Sequence, residues 1–230
     1  MKKNSRKKTV VGILIVFVPI FLILCIKFAK TNAPPPEQVS VSSRSKGNPN
    51  APHKINEFVD FQCPACATGS KILHTLLEKN PQDYYLRVKY FPLEMHLHSV
   101  RAARYVECSA RQGKFWEVED AFFEKQPQWR NLINPEPVFS EILKTAGIDP
   151  QKLESCLADP TVGEAIVKEK TEGKSLGVQS TPTYFIDGTM FVGTKNLENQ
   201  LKTFQPVPVV VSTPAAVSPA TPQETGKDQK

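Results

Sequence analysis

The chain has 230 residues, 40% of them hydrophobic, which suits one domain of ordinary size with terminal extensions. Most of its net charge of +6 comes from the first ten residues. Without their five basic side chains, 24 lysines and arginines face 23 acidic residues. No basic patch remains for phosphate binding, so we expect no nucleic-acid partner.

The N-terminal segment has the pattern of a membrane anchor. Residues 1–8 are basic, and Thr9 to Ile26 is an uncharged run of eighteen residues, near the short end of a spanning helix. A cleaved signal peptide is the alternative, although Pro34 directly follows the nearest small-residue cleavage site. We predict an uncleaved transmembrane anchor over residues 9–29, with the basic end cytoplasmic and the rest of the chain extracytoplasmic, in the periplasm or at the cell surface.

Two segments of low apolar content or high proline content flank the predicted domain. Residues 30–50 contain three consecutive prolines and then small and polar residues, which is typical of a stalk. Residues 205–230 are rich in proline and threonine and have no helical period, so they are predicted to be a disordered tail. The folded domain is therefore expected to cover residues 51–204, which is ample for a single core.

The first strand of that domain leads into a pair of cysteines. The apolar stretch Ile55 to Phe61 predicts a buried strand, and leucines and isoleucine at helical spacing follow Cys66 until Asn80 and Pro81 end the helix. Cys63 and Cys66 are three residues apart, on one face of the first helical turn. A helix N-terminus favours a thiolate, so we predict a redox pair in which Cys63 is the reactive thiol.

The remaining elements alternate between strand and helix. A second strand is expected at Tyr84 to Phe91, and helical patterns then fill an insertion at about residues 95–176. Thr183 to Ile186 and Met190 to Val192 flank Asp187-Gly188, a strong hairpin signal, and a last helix is predicted at Leu197 to Phe204.

This order resembles the DsbA-like thiol–disulfide oxidoreductases, which have an α/β thioredoxin-like fold with an inserted α-helical domain. The resemblance covers about residues 46–204. It is carried by a set of motifs: Glu57-Phe58-x-Asp60-Phe61-x-Cys63-Pro64-x-Cys66, Phe91-Pro92-Leu93, Gln112-Gly113-Lys114-Phe115-Trp116 and Gly177-Val178-x-x-Thr181-Pro182-Thr183.

The resemblance implies a role for each motif. Cys63 would attack, and Cys66 would resolve the mixed disulfide. Pro182 would be the cis-proline whose loop, with Thr181, faces the sulfurs and holds substrate backbone. Glu57 matches the buried acid of the fold, and a carboxyl in an apolar strand should have a raised pKa and could relay a proton to Cys66. Asp60 is the weaker candidate for that relay.

Two departures from the family pattern bear on the direction of electron flow. Pro64 and Ala65 stand between the cysteines, whereas strongly oxidising members place a histidine second, so a milder oxidant is expected. Thr181 is more typical of isomerases and reductases, but the chain has only a stalk where isomerases carry a dimerisation domain. We therefore predict a monomeric oxidase or general oxidoreductase, with an isomerase or reductase of the same fold as the alternative.

Two other functions remain open. Cys63 and Cys66 could be soft ligands of a metal-binding or metallochaperone module, and the chain could be an inactive binding module on the same scaffold. Zinc would require a second close pair of cysteines, so no metal and no cofactor are predicted. His96 and His98 are expected to be incidental, and His74 to be a surface or boundary residue.

The other two exported cysteines are expected to form a structural disulfide. Cys108 and Cys156 lie on apolar faces of two predicted helices, in a compartment that oxidises neighbouring thiols; two buried free cysteines are the alternative. Cys25 lies in the predicted anchor. The partners implied by the family are unfolded or reduced exported proteins and a quinone-linked membrane protein of the DsbB or VKOR kind.

Overall fold

The structure, a computed structural model, describes residues 36–204. Its elements in chain order are α1 (Pro36–Ser43), β1 (Ser45–Gly47), β2 (His53–Val59), α2 (Pro64–Lys79), β3 (Tyr84–Tyr90), α3 (Ser99–Ala110), α4 (Phe115–Glu124), α5 (Gln126–Trp129), α6 (Glu136–Thr145), α7 (Pro150–Ala158), α8 (Pro160–Ser175), β4 (Thr183–Ile186), β5 (Thr189–Val192) and α9 (Thr194–Leu201). The strands predicted from the sequence are all present.

The strands form one sheet in the order β1-β3-β2-β4-β5. β2 pairs in parallel with β3 and antiparallel with β4, so Ile55 lies between Leu86 and Ile186. β1 pairs antiparallel with β3 at one edge of the sheet, and β5 pairs antiparallel with β4 at the other edge. Because β2 is central and covered on both faces, the consecutive residues Glu57, Phe58 and Val59 are all buried rather than alternating between core and solvent.

Helices cover both faces of the sheet. On one face α2 and α9 contact each other, and Leu73 of α2 and Leu197 of α9 share a buried core with Ile55. On the other face α8 approaches so closely that a Cβ at Gly173 would lie 2.7 Å from a ring atom of Phe91. α8 is thus a layer of the core fold, although the sequence placed it within the helical insertion.

The insertion has its own aromatic core, joined to the sheet beneath the cysteine turn. Phe122, Trp129 and Phe139 pack edge to face or tilted, with ring centroids 4.7–5.9 Å apart. Phe61, which follows β2, contacts Phe122 and thereby joins the two cores. Cys108 of α3 and Cys156 of α7 are joined by a disulfide; they are the two cysteines that the sequence analysis paired.

The prediction of a stalk through residue 50 is wrong from residue 36 onward. Helix α1 and strand β1 pack on the domain, and Arg44 between them is buried. The Arg44 guanidinium binds Glu169 of α8 at 3.0 Å, donates to the carbonyl oxygen of Val88 at 2.7 Å and lies over the ring of Tyr90. A basic residue in a polar segment was expected to be exposed to solvent, but Arg44 is buried because residues from distant parts of the chain bind its guanidinium.

The predicted anchor and tail, residues 9–29 and 205–230, lie outside the described residues. Between residues 36 and 204, no helix is both long and apolar enough to cross a bilayer.

Candidate active site

Cys63 stands at the N-cap of α2, at the point where the loop after β2 turns into the helix. Its backbone is extended, and its carbonyl oxygen accepts from the N–H of Cys66 at 3.1 Å. Pro64 occupies the first helical position, where its fixed φ suits the helix and its missing N–H leaves no donor unsatisfied. The sequence of the turn therefore aims the remaining amides of the first helical turn towards the Cys63 sulfur.

The two thiols differ in access to solvent. Cys63 is 8% exposed and Cys66 is wholly buried, and both are free thiols. Cys66 Sγ lies behind the turn, where it accepts from the N–H of Asp60 at 3.5 Å. An incoming sulfur can therefore reach Cys63 first, which is the order of reactivity that the sequence predicted.

The same geometry separates the acidities of the thiols. A hydrogen bond from the Cys66 thiol, helped by the backbone amides of Cys66 and Ala65, lowers the pKa of Cys63 to about 6 against the opposing effect of burial. Burial, followed by the hydrogen bond to Cys63 and its negative charge, raises the pKa of Cys66 well above its ordinary value. At neutral pH the reduced pair thus holds one thiolate, on Cys63, and one thiol, on Cys66.

The loop before β4 lies against the cysteine turn. The Thr181–Pro182 peptide bond is cis, and the Thr181 carbonyl oxygen is 3.4 Å from Cys63 Sγ. Strand β4 holds this loop in place because Thr183 pairs with Phe58 of β2. Residues 118 positions apart in the chain therefore meet at the reactive sulfur.

Glu57 is buried beneath the turn. Neither of its carboxyl oxygens has a hydrogen-bond partner among the described residues, and the same holds for the hydroxyl of Tyr184 nearby. Burial, and then the charge of Glu119, raises the pKa of Glu57 to about 8. The charge of Glu57 in turn contributes to raising the pKa of Cys66, so the two groups are close enough to interact.

Gly69 of α2 makes room for this buried pair. A Cβ at this position would lie 2.0 Å from the Tyr184 hydroxyl oxygen and 3.6 Å from Glu57 Oε1. Any side chain at Gly69 would displace the Tyr184 ring from the space under the helix.

Asp60 is not a second free acid. Its carboxylate accepts from the backbone N–H groups of Gln62 and Leu93 at 2.8 Å, and His96 Nδ1 lies 2.7 Å from it. Asp60 therefore orders the two loops beside the cysteine turn. His98 donates to the carbonyl oxygen of Leu132 at 2.6 Å, so the two histidines point to different partners.

Two glutamines that the sequence analysis did not single out fix the turn to the insertion. Gln126 of α5 is buried and donates to the carbonyl oxygens of Phe61 and Cys63, at 2.7 and 3.1 Å. Gln62 donates to the carbonyl oxygen of Arg130 at 2.7 Å. The sequence gives no signal for Gln126, because it lies among polar residues in Glu124-Lys125-Gln126-Pro127-Gln128.

A groove of about 680 Å³ runs beside the cis-proline loop. Its walls combine apolar side chains with two lysines and loop residues: Phe91, Leu93, Met95, Lys170, Lys174 and Ser180. Met95 of this groove and Leu97, two residues further along the same loop, are exposed. The groove reaches Ser180, one residue before Thr181, whose carbonyl oxygen lies 3.4 Å from the Cys63 sulfur. Pro64 and Ala65 add no side-chain hydrogen-bond donor to it.

Comparisons with known proteins agree with this geometry. The family model Thioredoxin_4, described as Thioredoxin, matches residues 40–205. The Pseudomonas aeruginosa DsbA2 structure is 25% identical, with a TM-score of 0.55, covering 70% of this chain and 92% of that one. The structure of Wolbachia pipientis alpha-DsbA1 is 20% identical, with a TM-score of 0.60, covering 69% of this chain and 87% of that one. The structure of oxidised BdbD from Bacillus subtilis is also 20% identical, with a TM-score of 0.59, covering 70% of this chain and 92% of that one.

Curated relatives match over part of their length. Na(+)/H(+) antiporter NhaA 3 from Salinispora tropica is 27% identical over 157 residues, which are 66% of this chain and 23% of that protein. The chain spans about a quarter of the length of the first relatives of this kind. The structural likenesses confirm the predicted fold, a thioredoxin-like domain with a helical insertion, as in the DsbA proteins.

Proposed function

This chain belongs to the thioredoxin family, and from that premise and the geometry of its two thiols we propose that it is a DsbA-like protein thiol–disulfide oxidoreductase. The observation that carries the proposal is the pairing of a barely accessible sulfur of low pKa, Cys63, with a wholly buried thiol, Cys66, three residues along the same helix. A thiolate is the attacking and the better leaving species in disulfide exchange.

The reaction proceeds in two exchanges. In the oxidised protein a substrate thiolate attacks Cys63 Sγ, forming a mixed disulfide and expelling Cys66 as a thiolate, which takes up a proton. A second substrate thiolate then attacks the substrate sulfur of the mixed disulfide and expels Cys63 as a thiolate. The substrate gains one disulfide and the pair Cys63–Cys66 gains two electrons. The low pKa of Cys63 favours this second step, because a stabilised thiolate leaves readily.

Glu57 is proposed to be the proton donor and acceptor for Cys66. Its support is its burial beside Cys66, the lack of a competing hydrogen bond among described residues and its pKa of about 8, which makes it a carboxylic acid at neutral pH. Burial of the Cys66 sulfur makes a naked thiolate there costly, so a nearby acid lowers the barrier to its departure.

The loop at Thr181 and Pro182 is proposed to bind the substrate backbone. The Thr181 carbonyl already lies at the Cys63 sulfur, and a substrate strand placed over that sulfur would run beside the same loop. The neighbouring groove would hold apolar side chains of an unfolded polypeptide.

An isomerase or reductase of the same fold is the second candidate. Pro64 and Ala65 supply no side-chain donor to the Cys63 thiolate beyond the helix amides and Cys66, which favours a milder oxidant. We keep the membrane anchor at residues 9–29, the extracytoplasmic location, the monomeric state and a quinone-linked membrane partner as parts of the proposal. We also propose that the Cys108–Cys156 disulfide stabilises the fold and takes no part in disulfide exchange.

The test is oxidation of reduced, unfolded ribonuclease by the oxidised protein, followed by recovery of ribonuclease activity. We expect one disulfide transferred per molecule in a single turnover and loss of transfer in Cys63→Ser. In the opposite direction, Cys63 of reduced Cys66→Ser should attack a disulfide of an oxidised, unfolded substrate and remain as the mixed disulfide, because no second thiol is present to expel it. An insulin-reduction assay with the reduced protein measures the opposite direction. Transfer that persists in Cys63→Ser would refute the proposal.

Metal analysis of the reduced protein separates the redox pair from a metal module. The proposal expects Cys63 and Cys66 both to titrate as thiols, in addition to Cys25 of the predicted anchor, with no stoichiometric metal bound between Cys63 and Cys66. A tightly bound metal that blocks both thiols would favour the metallochaperone alternative.

A further inference from the structure

A second buried carboxyl lies beneath the active-site helix. Glu119 of α4 is wholly buried against α2, and Ser70 of α2 donates to its Oε1 at 3.1 Å. His74, one turn further along α2, places Nε2 3.1 Å from Glu119 Oε2 and Nδ1 3.0 Å from Asp120 Oδ1. Each ring nitrogen thus faces a different carboxylate.

This arrangement is that of a protonated imidazole rather than of a metal ligand set. His74 can donate from both nitrogens only as an imidazolium. Hydrogen bonds to Asp120 and Glu119, with their negative charges, raise its pKa to about 10 against the effect of burial. The same three side chains place one possible ligand atom each within 4.8 Å of one another, so metal analysis of the purified protein is the check on this assignment.

Glu57 and Glu119 are unequal members of a coupled pair. Both are wholly buried, but Glu119 accepts a hydrogen bond from Ser70 and has His74 Nε2 as an ion-pair partner at 3.1 Å, while Glu57 has no hydrogen-bond partner among the described residues. The two approach α2 at adjacent positions, because Ser70 binds Glu119 and Gly69 borders Glu57. Burial raises the pKa of Glu119, while the neighbouring His74 imidazolium and the Ser70 hydroxyl lower it. Two like charges in one buried region cannot both form readily, so the carboxyl with these partners ionises first.

Other titratable groups face the same space. Cys66 and His74 come from α2, Tyr184 comes from β4 and Asp120 flanks Glu119 on α4. The pKa of Tyr184 is raised by burial and then by Glu57, so its hydroxyl remains neutral and carries no competing charge. His74 acts weakly on Glu57 in the opposite sense to Glu119, whose effect is the larger.

We propose that Ser70 and His74 are positioning residues that hold Glu119 in its ionised form, and that this buried negative charge keeps Glu57 protonated so that it can give its proton to Cys66. The inference rests on the proposed oxidoreductase function and deepens it. When Cys66 leaves as a thiolate, the Glu57 proton moves to sulfur and leaves a carboxylate, which solvent later reprotonates.

The direct test is a titration of the Glu57 carboxyl carbon by NMR in the full-length oxidised protein, where neither active-site cysteine titrates. The wild type should titrate near pH 8. Glu119→Gln removes the charge with little change of shape and should lower the Glu57 midpoint by at least about one unit. Glu117→Gln is the matched control: it removes an acid from the exposed face of the same helix and should leave the midpoint unchanged.

A kinetic arm uses the same variants. The rate of ribonuclease oxidation, divided by the ionised fraction of the substrate thiols, should show an inflection near pH 8 that disappears in Glu57→Gln, moves to lower pH in Glu119→Gln and stays in place in Glu117→Gln. Ser70→Ala, which removes one donor from Glu119, is the milder variant if Glu119→Gln fails to fold, and it should shift the Glu57 midpoint in the same downward direction.

Three results would overturn the inference: an ordinary acidic midpoint for Glu57 in the wild type, an unchanged midpoint in both Glu119→Gln and Ser70→Ala, or a stoichiometric metal on His74 in the purified protein. If the inference fails while Cys63→Ser still abolishes transfer, the proposed function stands. If Cys63→Ser remains active, the proposed function itself has failed.

Discussion

Replacement of Cys66 separates two sources of the Cys63 thiolate's stability. The Cys66 thiol is the first cause of the lowered pKa, and the backbone amides of the helix N-terminus are the others. Cys66→Ser keeps a hydroxyl donor at this position, whereas Cys66→Ala removes it. We expect the pKa of Cys63 to stay near 6 in the serine variant and to rise by at least about one unit in the alanine variant.

The magnitude is large enough to measure. A fall from 9.0 to about 6 corresponds to about 4 kcal/mol between the protonated and ionised forms of Cys63, at about 1.4 kcal/mol per unit. At pH 7 roughly nine-tenths of the sulfur is then ionised, against roughly one-hundredth without the shift. An increase of one unit in Cys66→Ala would halve the thiolate fraction at this pH.

The assay is the rate of iodoacetamide alkylation of the reduced protein against pH, with the labelled cysteine identified by mass spectrometry. Because the folded-state pKa of Cys63 is depressed, its contribution to the stability of the reduced protein is present at alkaline pH and is lost as the pH falls through about 6. A wild-type midpoint near 9, or preferential labelling of Cys66, would contradict the assignment of the thiolate to Cys63. Equal midpoints in the alanine and serine variants would assign the whole effect to the helix amides.

Four further predictions concern stability. Gln126→Ala removes two hydrogen bonds to the cysteine turn and should cost about 1–3 kcal/mol in urea unfolding, together with slower alkylation kinetics. Arg44→Met leaves buried carboxylates unpaired and should cost about 3–5 kcal/mol; an unchanged urea midpoint would contradict the buried network. Because burial raises the pKa of Glu57, its contribution to the free energy of unfolding is present below about pH 4.5 and is lost as the pH rises to about 8. Between these pH values Glu57→Gln should therefore gain stability relative to the wild type, by about 1.4 kcal/mol per pH unit. Replacing both Cys108 and Cys156 by alanine removes a disulfide that links residues 48 positions apart and should lower the free energy of unfolding by about 4 kcal/mol. Thermal unfolding without added reductant, so that the wild-type disulfide stays intact, measures the difference.

Local patterns predicted much of the fold. The Asp187–Gly188 turn adopts positive φ at both residues, 50° and 85°, as the hairpin motif requires. Asp149 caps α7 by accepting from the N–H groups of Gln151 and Lys152, as its position before Pro150 indicates. Such features depend only on residues a few positions away in the chain, so they can be predicted from the local sequence.

Features that depend on distant partners were missed or placed incorrectly. Residues 36–47 look like linker because Arg44 reads as a solvated charge, and only Glu107 and Glu169, both remote in sequence, make its burial possible. Asp60 was weighed as a second acid, although it accepts from backbone groups of two loops. Gln126 gave no motif because its partners are carbonyl oxygens, which every residue carries.

Two cysteines three residues apart, at the start of a helix whose amides favour an anion, predicted a redox site from local sequence alone. The groups that surround these cysteines could be identified only from the packing of distant segments. This packing brings the Thr181 carbonyl oxygen to the Cys63 sulfur, and it buries Glu57 beside a second carboxyl from the insertion. The physical reason is that helix-end dipoles act within one turn of the chain, whereas burial and charge coupling depend on which distant segments pack together.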